Sequence, residues 1–223
     1  MEGYKLGKTS IKVPSGWHEI NFNKAMDILD GELNAVETLA VLTDKTPEEI
    51  RRATDLDTIF YFTNTFLYLQ QLPGHDFPRS IQMGPDLIRF PAPIDLGNAE
   101  VGQVEDMQSI IMKMNKDFTG ETARELTELE LIKIMPHIAA VYIQKLLDGE
   151  YDGQTAQDMV PRIKEEVSFK AITGIGYFFL SRLTALMSGQ ESEWQRHHLM
   201  RRSWKRASLN LMRRLAHTLH LTR

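Results

Sequence analysis

Phe169–Met187, FKAITGIGYFFLSRLTALM, is the most apolar stretch of this 223-residue chain. Its apolar residues recur on nearly all sides of a helical projection, which predicts a buried central helix. Ser168 can cap the start of this helix, and Gly189 follows its end. Polar residues interrupt the stretch, so it does not resemble a membrane span. Gly174 and Gly176 weaken helix propensity, which predicts that a neighbouring helix or loop approaches closely there.

The segment after this helix is basic. Residues 190–223 contain eight Arg or Lys residues against two Glu residues, a net charge of +6, so the other 189 residues carry −10. On a helix, its apolar residues form one stripe at steps of three and four: Met200, Trp204, Ala207, Leu211, Leu215 and Leu219. The predicted partner- or polyanion-binding residues are Arg201, Arg202, Trp204, Lys205, Arg206, Arg213 and Arg214.

Three interpretations of this basic amphipathic helix compete. It docks on its own acidic body or on a neighbouring subunit, it lies along the phosphates of a nucleic acid, or it lies on a membrane surface with Trp194 and Trp204 at the interface. The apolar stripe favours docking on protein, because a phosphate binder does not need it. Contact with DNA is the second interpretation, and the membrane is the least favoured.

Composition sets further bounds on the chain. Its apolar content of 42% and charged content of 25% are those of a globular protein. The chain contains no Cys, which excludes disulfides, thiolate zinc sites and cysteine nucleophiles. MEGYKLGKTS at the start lacks the apolar region of a secretory signal, so we expect the protein to be made and used inside a cell.

Residues 1–22 are predicted to form a β-hairpin start, and residues 23–189 a helical body. Tyr4–Val13 holds two short alternating runs around Gly7 and Lys8, which is typical of a hairpin. Asn23 is the predicted cap of a helix that reaches about Leu29.

Capping signals predict the next three helices. Asn34 with Glu37, and Thr46 with Glu49, have capping-box spacing, and Pro47 suits a first helical position. Asp55 or Asp57 is the expected cap of the third. The predicted bounds are Ala35–Thr43, Pro47–Ala53 and Thr58–Gln71.

A Pro-rich excursion covers residues 75–102. Ser80–Met83 and Leu87–Phe90 flank a turn at Gly84–Asp86, which predicts a second hairpin. Long ordered excursions often carry partner contacts. Helices are then predicted at Gln103–Lys116, at Thr127–Leu147, where Pro136 causes a kink or separates two helices, and at Gln154–Val167, with Pro161 inside.

No motif predicts a catalytic, cofactor-binding or metal site. The Gly174–Gly176 pair follows no strand, and neither a phosphate-loop motif nor G-x-S-x-G occurs. His197 with His198, and His217 with His220, lack the ligands of a recognisable metal motif. The pairs Glu128 with Glu130 and Glu165 with Glu166 fit solvated helix surfaces better than acid–base catalysis. We therefore expect a protein that is not an enzyme and holds no cofactor.

Four passages carry a family resemblance. They are Ile11–Leu29 (IKVPSGWHEINFNKAMDIL), Leu39–Ala53 (LAVLTDKTPEEIRRA), Phe90–Asp106 (FPAPIDLGNAEVGQVED) and Tyr142–Gly153 (YIQKLLDGEYDG). The short β start followed by helices resembles small structural or assembly proteins of tailed bacteriophages, particularly phages of Bacteroidetes-type hosts. The layout is also similar to that of tail assembly chaperones.

The resemblance implies assembly rather than catalysis. The expected protein is a head–tail connector or tail component, or a tail assembly chaperone, found in the virion or in the host cytoplasm during assembly. Its expected partners are other virion or assembly proteins, with a homo-oligomer as one form. The alternative is a nucleic-acid-binding module that uses the basic helix. The predicted fold is mainly α, with one or two small β-hairpins and a C-terminal basic amphipathic helix.

Overall fold

The computed structural model has a mainly α fold with two small antiparallel hairpins, as the sequence predicts. It describes residues 2–6, 9–54, 56–74, 76–91, 101–119 and 126–188. The predicted C-terminal helix of residues 190–223 lies outside these ranges. Between Pro73 and Gly74 the chain divides into two compact units. This boundary falls within the predicted helical body of residues 23–189, and each unit has its own hairpin.

The N-terminal unit begins with the predicted hairpin and continues in short helices. Strands β1 and β2 pair antiparallel, with Tyr4 opposite Ile11. Its elements are β1 (Glu2–Leu6), β2 (Thr9–Val13), a 3-10 turn (Trp17–Glu19), α1 (Phe22–Asp30), α2 (Ala35–Thr43), α3 (Pro47–Ala53), α4 (Leu56–Thr65) and a second 3-10 turn (Phe66–Gln70).

The two predicted capping boxes are confirmed, and so are the bounds of α2 and α3. The Glu37 N–H donates to Asn34 Oδ1 at 3.1 Å, and the Asn34 N–H donates to Glu37 Oε2 at 2.9 Å. Thr46 and Glu49 exchange the same pair of bonds at the start of α3. These caps are local, because each joins residues three apart and satisfies N–H groups that the helix leaves unpaired.

The predicted cap of α1 is wrong by two residues. Asn21, not Asn23, accepts a hydrogen bond from the Lys24 N–H, at 3.0 Å. The buried side chains of α1 recur every third residue from Phe22, so Phe22 has to lie inside the helix to reach the core. Asn23 is exposed on the first turn.

The predicted helix Thr58–Gln71 is also corrected. The α-helix begins at Leu56, which places Asp57 inside it, and it gives way to the 3-10 turn Phe66–Gln70. The other predicted cap, Asp55, lies outside the described residues. At the end of the turn the indole N–H of Trp17 donates to the carbonyls of Tyr68 and Gln71. A partner 51 residues or more away in sequence thus shapes the end of this segment.

The C-terminal unit is a helical assembly around one long helix. Helices α5, α7 and α8 all pack against α6, and so does strand β4. The elements are β3 (Ser80–Met83), β4 (Asp86–Arg89), α5 (Val101–Thr119), α6 (Glu128–Asp148), α7 (Gly153–Glu166) and α8 (Phe169–Ser188). The second hairpin therefore forms where the sequence predicts it, with Ile81 opposite Ile88.

Helix α6 is continuous through Pro136, so the alternative of two helices is wrong. Pro136 is buried, and a capping box at the helix start joins Thr127 with Glu130. Gly149 ends the helix with a φ of 81°, a left-handed conformation that glycine adopts without steric cost. Helix α7 likewise runs through Pro161, and Asp152 caps it.

Helix α8 forms where a buried helix is predicted, and Ser168 caps it. The predicted central position is wrong, because the other helices of this unit pack against α6. Ile172, Ile175 and Phe179 are buried on α8. A Cβ atom at Gly174 would overlap the backbone carbonyl of Asp76, and one at Gly176 would overlap Met135 of α6. The predicted close approach at both glycines is therefore confirmed. Across the described part of the chain, no helix combines the length and apolarity needed to cross a bilayer.

Candidate interaction surface

Five aromatic side chains from separate parts of the C-terminal unit meet at its surface. They flank the second hairpin and lie on α6 and α8. The aromatic cluster, as we call it, consists of Phe77, Phe90, Tyr142, Phe178 and Phe179. The hairpin brings the segments before β3 and after β4 together. At this end, the Phe90 N–H donates to the carbonyl of Arg79 at 3.0 Å.

Phe77 is the centre of the aromatic cluster. Its ring centroid lies 4.8 Å from that of Phe178 and 5.0 Å from that of Phe90, both edge to face. Phe90 stacks on Tyr142 at 5.7 Å and 22°, and Tyr142 lies 4.5 Å from Phe179. Rings at such separations attract one another beyond the effect of burial alone. The arrangement therefore holds the rings in defined positions.

The aromatic cluster is partly exposed to solvent. Phe179 is only 1% exposed and belongs to the core, whereas the other four rings are partly exposed. Partial burial raises the pKa of the Tyr142 hydroxyl above its ordinary value. A set of fixed, part-exposed aromatic rings is a common feature of protein-binding surfaces.

Exposed arginines border the aromatic cluster. The Arg182 Cζ atom lies 5.6 Å from the centre of the Phe178 ring, within range of a cation–π contact. Arg79 precedes β3, and the alternation of the strand places it on the face that carries Ile81 and Phe90. Arg79 is exposed and forms no ion pair with any residue that the structure describes. Its positive charge is thus available beside the rings.

The residues predicted to bind partners, Arg201, Arg202, Trp204, Lys205, Arg206, Arg213 and Arg214, all lie outside the described residues. The sequence analysis did not identify the aromatic cluster, although it identified the excursion at residues 75–102 as a place for partner contacts. Phe77 and Phe90, which bracket the predicted hairpin, were the available signal. Nothing local indicated that Tyr142 and Phe178 would join them.

Glu128 does not lie on a solvated helix surface, where the sequence analysis places it. It is the first residue of α6, it is 8% exposed, and neither carboxyl oxygen has a hydrogen-bond partner. Burial raises its pKa to about 8, so the side chain is mostly neutral at pH 7. Its predicted companion Glu130 is engaged in the capping box, so the two carboxyls do not form an acid–base pair.

A polar network ties the start of α5 to the link between α6 and α7. The Tyr151 hydroxyl donates to Asp106 Oδ2 at 2.6 Å, and burial together with this bond raises the pKa of Tyr151. Gln144, 1% exposed, donates to the Glu150 carbonyl and accepts from the Asp152 N–H. Each of these buried polar groups has a partner, so the network serves structure.

His137 is a half-buried histidine on α6. Its Nδ1 lies 3.1 Å from Gln157 Oε1, and burial lowers the pKa of the ring. Glu165 is exposed and Glu166 pairs with Arg162 at 3.0 Å. Within the described ranges, no three His, Asp or Glu side chains are grouped to hold a metal ion.

Comparison with known proteins returns no relative. No family model matches the chain, and neither a curated protein nor a solved structure does.

Proposed function

We propose that the chain is a non-enzymatic structural or assembly protein of a tailed bacteriophage that acts through protein–protein contacts. The observation that carries this proposal is the aromatic cluster. Four of its rings reach the surface of a helical unit in fixed positions. Interface residues that contribute most to binding are enriched in aromatic side chains and arginine, and both types are present here.

The phage assignment rests on the four passages that resemble such proteins, and two of these passages are in contact. Phe90 opens one passage and stacks on Tyr142, which opens another. Asp106 closes the first and accepts the hydrogen bond of Tyr151, from the second. Passages 36 or more residues apart in sequence thus contribute to one region of the C-terminal unit.

Exposed apolar side chains outside the aromatic cluster are consistent with assembly. Rings and tubes in phage particles are built from repeated heterologous contacts, so each subunit needs more than one contact surface. Exposed large apolar residues are present in both compact units: Tyr61, Leu67, Leu87, Met112 and Leu147.

The proposal is tested by isolating the tagged full chain from infected cells and identifying what co-purifies. Light scattering gives the mass of the purified material beside that of the chain alone, 25.6 kDa for a monomer. We expect either a closed oligomer or a complex with a defined virion protein.

The alternative, a nucleic-acid-binding module, is supported by the net charge of +6 in residues 190–223. It predicts duplex DNA binding that falls steeply as salt rises. A monomer that binds DNA in this way and retains no virion protein would contradict the assembly role.

A further inference from the structure

We propose that the aromatic cluster, with Arg79 and Arg182, is a docking surface for an acidic, apolar segment of a partner protein. This inference rests on the proposed function and adds to it the chemistry of the partner. An apolar side chain of the segment packs on the exposed parts of Phe77, Phe90 and Phe178, and a carboxylate of the segment pairs with Arg79.

The apolar half of the proposal follows from the rings. Phe77, Phe90, Tyr142 and Phe178 are held by one another at centroid distances of 4.8 to 6.4 Å. Their partial exposure means that water still covers part of each ring. Removing that water when a partner side chain arrives is favourable, and rigid rings lose little conformational entropy on binding.

The acidic half follows from charge. Residues 1–189 carry a net charge of −10, yet exposed Arg79 and Arg182 border the aromatic cluster. Asp76, next to Phe77, carries the carboxylate nearest to the aromatic cluster in sequence. Local positive charge on an otherwise acidic molecule selects a negative segment and disfavours a basic one.

The hairpin offers a matched pair of arginines for the test. Arg79 and Arg89 are both exposed at its open end, and neither forms an ion pair with a described residue. Strand alternation places Arg79 on the face of Ile81 and Phe90, and Arg89 on the opposite face with Leu87. Arg79→Glu therefore alters the proposed surface, whereas Arg89→Glu changes the total charge equally without altering it.

The probe is a short fluorescent peptide in which Glu alternates with Leu and Phe, titrated with the full chain and followed by anisotropy. We expect saturable binding that Arg79→Glu weakens by about tenfold or more, since a charge-assisted hydrogen bond is lost and a like charge is added. Arg89→Glu is expected to change the Kd by less than about twofold, because Arg89 lies on the opposite face of the hairpin. A peptide with Lys in place of each Glu should bind at least tenfold more weakly, about 1.4 kcal/mol.

Equal loss in the two arginine variants, or equal binding of the Lys peptide, would overturn the docking surface. A second variant, Phe178→Ala, tests the apolar half, and circular dichroism checks that it folds. Unchanged binding by this folded variant would also overturn the proposal. If the peptide fails to bind but the full chain still isolates a virion protein, the proposed function stands and this surface is rejected. Light scattering at each titration point shows whether the peptide displaces a second copy of the chain, which would identify that copy as the partner.

Discussion

The two compact units use aromatic residues in opposite ways. In the N-terminal unit, Trp17 meets Tyr68 edge to face at 6.0 Å, and the polar atoms of the pair are hydrogen-bonded. The Trp17 indole donates to the Tyr68 and Gln71 carbonyls at 3.0 and 2.7 Å, and the Tyr68 hydroxyl donates to the Pro14 carbonyl at 3.1 Å. In the C-terminal unit, the aromatic cluster is left partly open.

The contrast separates a structural from a binding use of the same residue types. Trp17 is 5% exposed and joins two segments that are more than 50 residues apart, so its polar and apolar parts are both satisfied within the chain. Phe77, Phe90 and Phe178 pack against other rings and still remain partly exposed. An aromatic pair that is satisfied internally has nothing further to offer a partner, whereas a part-exposed cluster gains by binding one.

The largest expected effect comes from breaking the structural pair. Trp17→Ala should lower the free energy of unfolding of the N-terminal unit by about 3–5 kcal/mol, because it removes a buried ring and leaves a cavity. The matched change Phe178→Ala should cost about 1 kcal/mol, because part of that ring is already in water. Urea denaturation of the full chain, followed by circular dichroism, gives both values. Comparable losses in the two variants would erase the contrast.

The buried polar atoms of Glu128 differ from those of Trp17 and Tyr68. The Glu128 carboxyl has no hydrogen-bond partner, whereas the Trp17 indole and the Tyr68 hydroxyl each have one or more. The folded pKa of Glu128, about 8, lies above the ordinary value of 4.5. The unfolded chain therefore loses this proton at a lower pH than the folded chain does. The free energy of unfolding should fall as the pH rises from about 4.5 to about 8.

The variant Glu128→Gln should remove this pH-dependent loss, which amounts to about 3 kcal/mol at pH 7. Urea midpoints measured at pH 5 and pH 8 would show it as a smaller difference in the variant than in the natural chain. Glu130→Gln, in the exposed part of the same turn, serves as the control, although it weakens the capping box. An equal pH dependence in natural chain and Glu128→Gln would show that the carboxyl is ionised when folded.

The smallest expected effects come from removing the hydroxyl group of Tyr68 or of Tyr142. Tyr68→Phe removes the hydrogen bond to the Pro14 carbonyl and should cost about 1 kcal/mol. Tyr142→Phe removes a hydroxyl of the open cluster and should cost less than about 0.5 kcal/mol. Thermal unfolding of the two variants measures both, and a larger loss in Tyr142→Phe would show that the open cluster depends on this hydroxyl.

Much of the fold was predictable because its signals are local. The bounds of α2 and α3 follow from Asn34 and Thr46 with the glutamates three residues on, and both hairpins form at the predicted turns. The misplaced cap of α1 shows the limit of such signals. Asn21 and Asn23 are both good caps, and the burial of Phe22 decides between them.

The candidate surface could be predicted only in part. Phe77 and Phe90 lie in the excursion at residues 75–102, which was expected to contact partners. Tyr142 and Phe178 lie inside helices whose apolar residues all looked alike as core. Which of them reach the surface depends on how α6 and α8 cross, and no single-helix pattern contains that information.

The sequence alone therefore determined most of the secondary structure of the described residues, because caps, turns and apolar periodicity act between residues a few positions apart. It also determined the separation of a basic segment, residues 190–223, from an acidic remainder. The tertiary structure decided that Gly176 admits Met135, that Glu128 is buried without a partner, and that five aromatic rings meet at one surface. These features arise from contacts between residues far apart in the chain, where packing and desolvation, not local propensity, set the outcome.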